Sequence, residues 1–231
     1  MPQHTSERAP QHRQNMITLH YSPTDASMAP HIVLCELAAP FTLAKVDRAN
    51  QAHKQPAYLK MNPNGLIPVL QDGDLVLYET AAICMHLADT HPSANLVPLL
   101  GSHERAHYLK WMLWLANTLH ATLVPFFYPE RWADEGDALG AAKIKAKAQS
   151  KVDAMLVQID EHLARHSGPW FLGQHYSAVD AYAFMLCRWT RSFTSTPARD
   201  YAHIRPYLQR MLTRAAVQRV YEVEAIGLPW V

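Results

Sequence analysis

Glu79 and Thr80 set a carboxylate beside a hydroxyl at the start of a helix, and Ile67-Pro68 interrupts a short apolar strand shortly before them. Neither pair is a good choice for structure alone. A proline cannot donate to a strand ladder, so the Leu66 to Leu70 run must lie at a sheet edge or turn its hydrogen-bonding side to a ligand. A cis Ile67-Pro68 bond, as about one X-Pro bond in twenty is, would project the Ile67 N–H and C=O into a groove. Thr80 fits the N-cap of a helix whose Ala81, Ile83, Cys84, Leu87 and Ala88 have helical spacing. A capped helix start beside exposed strand backbone is a receptor for a peptide-like ligand that carries a carboxylate.

A second set of groups surrounds an earlier helix start. Tyr21, Ser22, Thr24 and Ser27 precede Met28, His31, Ile32, Cys35 and Ala38, which recur at helical spacing with Pro30 in the first turn. Ser27 fits the N-cap there. The unpaired N–H groups and dipole of such a start lower the pKa of a thiol or hydroxyl. A hydroxyl that donates to a sulfur favours the thiolate, because it bonds the charged form. A third pattern, His103-Glu104-Arg105-Ala106-His107, could put two imidazoles on one helix face for zinc. So short a pattern arises easily in a chain with 14 histidines, and no well-placed third ligand follows, so no metal is expected.

The elements that must position these groups can be read in order. Ile17 to Tyr21 reads as a strand, the Ser27-capped segment as a helix, and Phe41 to Val46 as a second strand. Asn62-Pro63-Asn64-Gly65 is dense in turn formers, Asp72-Gly73 marks a hairpin, and Leu75-Val76-Leu77 returns before the Thr80 helix. Strand, helix, strand, then hairpin and helix, make a thioredoxin-like plan.

With those elements in place, Asn62-Pro63-x-Gly65-x-Ile67-Pro68-Val69-Leu70 followed by Tyr78-Glu79-Thr80 and Ala82-Ile83 resembles the glutathione-binding signature of the cytosolic glutathione S-transferases. The resemblance implies that Ile67, beside Pro68, pairs its backbone with the cysteinyl part of glutathione. It also implies that Glu79 and Thr80 hold the γ-glutamyl amine and carboxylate. The family often reaches the glycyl carboxylate from the segment between Asp47 and Lys60, where Gln51, His53 and Lys54 are candidates. The YSPxxxSxAPHIVL run resembles the bacterial beta class, with one departure. Ala26 stands where that class carries its cysteine, which excludes mixed-disulfide chemistry at this position. Ser27 is then the first choice for the hydroxyl at the sulfur, with Tyr21, which matches the beta-class tyrosine, as the other.

After Asp89, the segment THPSANLVPLLGS reads as a linker, and the rest is helical. Ser102 caps a long helix that runs to Phe127 and is apolar nearly all round toward its end, which suggests deep burial or a dimer interface. His120 falls where the beta class has an active-site histidine. Asn117 lies one turn earlier on the same face, while Ala121 replaces the lysine of that class. Trp111, Trp114, Phe126, Phe127, Tyr128 and Trp132 supply aromatic area for an apolar pocket or for core. Ser177-Ala178-Val179-Asp180 is a capping box, read as structural. The lysines from Lys143 to Lys151 read as a solvated face.

The whole-chain limits agree. A length of 231 residues and a net charge of +1 suit one large domain or two small ones and give no electrostatic case for nucleic acid or membrane partners. No stretch approaches the length of a membrane span. Cys35, Cys84 and Cys187 form no CxxC and read as reduced core residues of an intracellular protein. Residues 1–15 lack an apolar secretory core and read as a disordered tail, or as lying upstream of the true start at Met16. The expected organisation is a thioredoxin-like glutathione-binding domain over 16–90, a linker over 91–101 and an all-α substrate-binding domain over 102–231. The expected function is a cytoplasmic, homodimeric transferase that adds the thiolate of its co-substrate glutathione to a small hydrophobic electrophile. The alternatives are a glutathione-dependent isomerase or peroxidase, or a non-catalytic ligand- or protein-binding member of the fold.

Overall fold

The computed structural model describes residues 16–231, so the expected tail lies outside the described residues. Strand β1 (Ile17–Tyr21) alternates buried and half-buried residues, as a strand under one layer of helices should. Helix α1 (Met28–Leu37) returns over the sheet to β2 (Phe41–Lys45), which pairs parallel with β1. After a short helix α2 (Pro56–Leu59) come the antiparallel strands β3 (Val69–Asp72) and β4 (Leu75–Tyr78), then helix α3 (Thr80–Thr90). The sheet order is β2-β1-β3-β4, with β3 antiparallel to β1. This is the thioredoxin-like layout.

The structure corrects two local expectations. Strand β3 is interior and begins at Val69, so Leu66, Ile67 and Pro68 precede the ladder. Pro68 has no N–H to give a neighbour, and the ladder starts at the residue after it. The Ile67–Pro68 peptide is cis. The N-cap position of α3 belongs to Glu79, and the Thr80 hydroxyl instead donates to Ala26 C=O at 3.3 Å, which ties the start of α3 to the start of α1.

The remaining chain is helical. Ser102 caps α4 (His103–Trp114) by accepting from Arg105 N–H at 3.0 Å, and α4 runs through a π-helical turn, Leu115–His120, into α5 (Ala121–Phe127). Asp137 caps the long α6 (Ala138–Ala164). Helix α7 (Ala178–Trp189) is buried on every face and packs against α1 and α3, followed by α8 (Ile204–Leu212) and α9 (Ala215–Val223), which also lies on α1. The main apolar core runs from the sheet through α1 and α3 into α7. The Glu36 carboxylate accepts two bonds from Arg214, at 2.6 and 2.8 Å, and clamps α1 to the helical part. His103 and His107 are exposed on the first turns of α4, and no group of three possible metal ligands lies among the described residues. No helix among them is long and apolar enough to cross a membrane.

Candidate active site

The loop before α1, the loop before β3 and the start of α3 face the π turn, α5 and the end of α7 across a cavity of about 490 Å³. Its sheet-domain wall carries Ile67, Pro68, Glu79 and Thr80 together. Among the described residues nothing bonds the Ile67 N–H or C=O, so a strand-like edge is left open at that point. The preceding residue is fixed instead, because Leu66 C=O accepts from Tyr58 Oη at 2.9 Å and Asn62 Nδ2 at 2.8 Å.

Glu79 is exposed on the cavity wall with φ of 74° and ψ of 114°. A positive φ at a residue with a side chain costs on the order of 1–3 kcal/mol and persists where the surroundings demand it. Here the residue must both end β4 and open α3. The first N–H groups of α3 lie beside that carboxylate and are the natural anion seat. With its proton given to Ala26 C=O, the Thr80 hydroxyl has none to offer a ligand.

The two expected hydroxyls are not brought to the cavity. Ser27 is fully buried, donates to Ser22 C=O at 2.9 Å and accepts from Ser22 N–H at 3.1 Å, so it staples its own loop and makes no N-cap bond. Tyr21 packs edge-on against His31 in the core, and burial with the Glu224 carboxylate holds its phenol above the ordinary value. The loop hydroxyl that does line the cavity is Thr24, exposed and at φ of 65°. Its N–H donates to the Glu224 carboxylate at 2.7 Å, and that buried carboxylate also meets His31 Nδ1 at 2.8 Å. The end of α9 thus holds the loop in its left-handed turn.

Of the glycyl-carboxylate candidates, His53 and Lys54 line the cavity and Gln51 does not. Burial, then the charges of Lys54 and Arg48, lower the His53 pKa, so its ring is neutral at neutral pH. On the helical wall His120 is present, with Nδ1 at 2.7 Å from Tyr182 Oη. Burial pushes its pKa down to about 4, so it is neutral at neutral pH.

Asn117 is exposed and off the cavity, where Ala116 lies instead. A π turn closes i to i+5 rather than i+4, which sets the residue four before His120, not three, on the same face. Trp111 and Phe126 are core, and Trp132 is exposed away from the cavity, while Phe127 and Tyr128 line it. The lining also includes Arg48, Arg131, Trp189 and Arg191, which no sequence motif marks. They come from three distant segments, around positions 48, 131 and 190, so no local signal marks them.

Two family models match, described as "Glutathione S-transferase, N-terminal domain" over residues 26–90 and "Glutathione S-transferase, C-terminal domain" over residues 115–215. Glutathione S-transferase GST-4.5 of Xanthomonas campestris pv. campestris is 31% identical over 90% of this chain and 99% of its own. Glutathione S-transferase GstA of Escherichia coli O157:H7 is 32% identical over 90% of this chain and 98% of its own. Among solved structures, a glutathione transferase homolog from Sulfitobacter with bound glutathione superposes with a TM-score of 0.82. It is 30% identical and covers 91% of this chain and 99% of its own. A glutathione transferase from Methylococcus capsulatus str. Bath reaches a TM-score of 0.78 at 32% identity, covering 91% of this chain and 99% of its own.

Proposed function

This chain belongs to the glutathione S-transferase family, and we propose that it is a glutathione transferase that adds the glutathione thiolate to an apolar electrophile. The observation that carries this reading is the Ile67 backbone and the Glu79 carboxylate, neither bonded among the described residues, beside the start of α3 on one cavity wall. The cysteinyl part of glutathione pairs with Ile67 as an added strand residue. Glu79 takes the γ-glutamyl ammonium, and the first N–H groups of α3 take the neighbouring carboxylate. Because its own proton is spent on Ala26 C=O, Thr80 contributes its backbone rather than its hydroxyl. His53 and Lys54 are placed for the glycyl carboxylate.

So held, the thiol lies over the loop from Pro23 to Ala26. An ordinary thiol has a pKa near 8.5, and two features of this loop lower it. The dipole of α1 favours an anion near its start, and the Thr24 hydroxyl can donate to the sulfur. Alanine at position 26 leaves the sulfur free to attack the co-substrate rather than form a mixed disulfide. The electrophile rests on Ala116, Val124, Phe127 and Trp189, within reach of the neutral His120, and proximity supplies much of the rate. A homodimer and a cytoplasmic location belong to the same reading. The exposed Leu75 and Val76 of edge strand β4 offer apolar area that a second copy could cover.

Two substitutions separate the hydroxyls. Thr24→Ala is expected to raise the pKa of the bound thiol and lower kcat/KM with a chlorodinitrobenzene by about ten- to a hundredfold, with Thr24→Ser restoring most of it. Ser27→Ala is expected instead to lower stability by about 1–3 kcal/mol, because it strips the partner from Ser22 N–H, and to leave the thiol pKa unchanged. Normal thiol ionisation in Thr24→Ala together with its loss in Ser27→Ala would reverse the assignment.

A further inference from the structure

In the proposed glutathione pose, two of the four cations that line the cavity are left without a partner. Its walls hold Arg48, Lys54, Arg131 and Arg191 against only two carboxylates, Asp25 and Glu79. On the reading above, Glu79 meets the ammonium of glutathione, and Lys54 and the start of α3 meet its two carboxylates. Arg48 is already committed, since it donates to Asp25 at 2.6 Å and to Tyr128 Oη at 3.1 Å. Arg131 and Arg191 remain, and neither is ion-paired among the described residues.

Both stand on the helical side, where the electrophile rests. Arg131 is exposed and stands over the Tyr128 ring, with its guanidinium carbon 4.0 Å from the ring centroid. Arg191 follows α7, beside the lining Trp189, and is only partly exposed. One of its N–H groups is spent on Arg188 C=O at 3.3 Å. Arg188 itself is buried with Nε and Nη1 unpartnered among the described residues, and its like charge bears on Arg191. A neutral electrophile filling this space would take water from the Arg191 guanidinium and give nothing back. An acid group would supply the missing partner in the planar, two-pronged geometry that guanidinium favours.

We propose that the co-substrate of this cavity is an anionic electrophile, a flat apolar body bearing a carboxylate or similar acid group that Arg191 and Arg131 hold while the ring rests on Phe127 and Trp189. This deepens the glutathione transferase reading and rests on it. For a chloroarene, the thiolate sulfur forms a bond to the ring carbon that bears chlorine, and the carbon–chlorine bond breaks with its electron pair leaving as chloride. The acid group is unchanged.

The test compares para-chloro-meta-nitrobenzoate with its methyl ester, each kcat/KM divided by the uncatalysed rate with glutathione. The acid-to-ester ratio is expected to be about tenfold or more, as a charge-assisted contact allows. Arg191→Gln and Arg131→Gln should each lower that ratio, with Arg191→Lys keeping part of it, while glutathione affinity stays as in the parent. If neither compound turns over, the same comparison is made by calorimetry with meta-nitrobenzoate and its methyl ester on protein saturated with S-methylglutathione. A ratio near one in the parent, or one that both glutamine variants leave unchanged, overturns the anionic class alone when glutathione still binds. Loss of glutathione binding in the parent overturns the transferase reading with it.

Discussion

Glu79→Ala is expected to weaken reduced glutathione by about 2–3 kcal/mol, roughly 30- to 150-fold, because a charged hydrogen bond to the ligand ammonium is lost. The stability of the protein should stay within about 0.5 kcal/mol, the usual range for surface positions without a structural partner. Two observations separate the effects. The carboxylate is exposed on the cavity wall and makes no hydrogen bond among the described residues, so truncation leaves no group of the protein unpaired. The left-handed backbone at Glu79 is equally awkward for alanine, so relief of strain does not offset the loss. Glu79→Gln should recover little, since the amide keeps the shape without the charge. Isothermal calorimetry beside a thermal melt reads both quantities. A variant that binds glutathione like the parent would remove Glu79 from the site.

The second large effect concerns folding. Asp180 is fully buried in the first turn of α7, and its carboxylate accepts from Phe171 N–H at 2.7 Å, Ser177 N–H at 2.8 Å and the Ser177 hydroxyl at 3.1 Å. Burial pushes its pKa up to about 6, with the donated bonds pulling the other way. Asp180→Ala strands three donors in the core and removes half of the capping box, a loss of about 3–5 kcal/mol. For a chain of this size that lowers Tm by roughly 10 °C. Helix α7 also packs on α1 and α3, which carry the site, so the unfolding should take activity with it while leaving KM for glutathione normal in the folded fraction. A Tm within about 2 °C of the parent would show that the box does not hold α7.

The strip proposed for glutathione could be read from the sequence because local chemistry sets it. Pro68 cannot join a ladder and Glu79-Thr80 opens a helix, and neither fact depends on distant residues. The capping box at Asp180 is equally local. The hydroxyls were harder. Which one reaches the cavity depends on how the loop before α1 turns, and Glu224, 200 residues from Thr24, holds that turn. Spacing gave Ser27 the helix start but could not show its hydroxyl folded back on Ser22. A helical period of 3.6 puts Asn117 on the His120 face, but the chain takes a π turn there and Ala116 lines the cavity instead. Arg131 shares a cavity with Trp189 and Arg191 only because α5 meets the end of α7, where Phe127 lies against Trp189, and no short pattern records that.

The central claim is that this cavity binds glutathione and holds it as a thiolate. The most direct measurement is a titration of the purified protein with reduced glutathione at neutral pH, followed by the ultraviolet absorbance of the thiolate. A saturable rise with half-saturation between micromolar and low millimolar glutathione is the predicted result. No thiolate signal at several millimolar glutathione would contradict it.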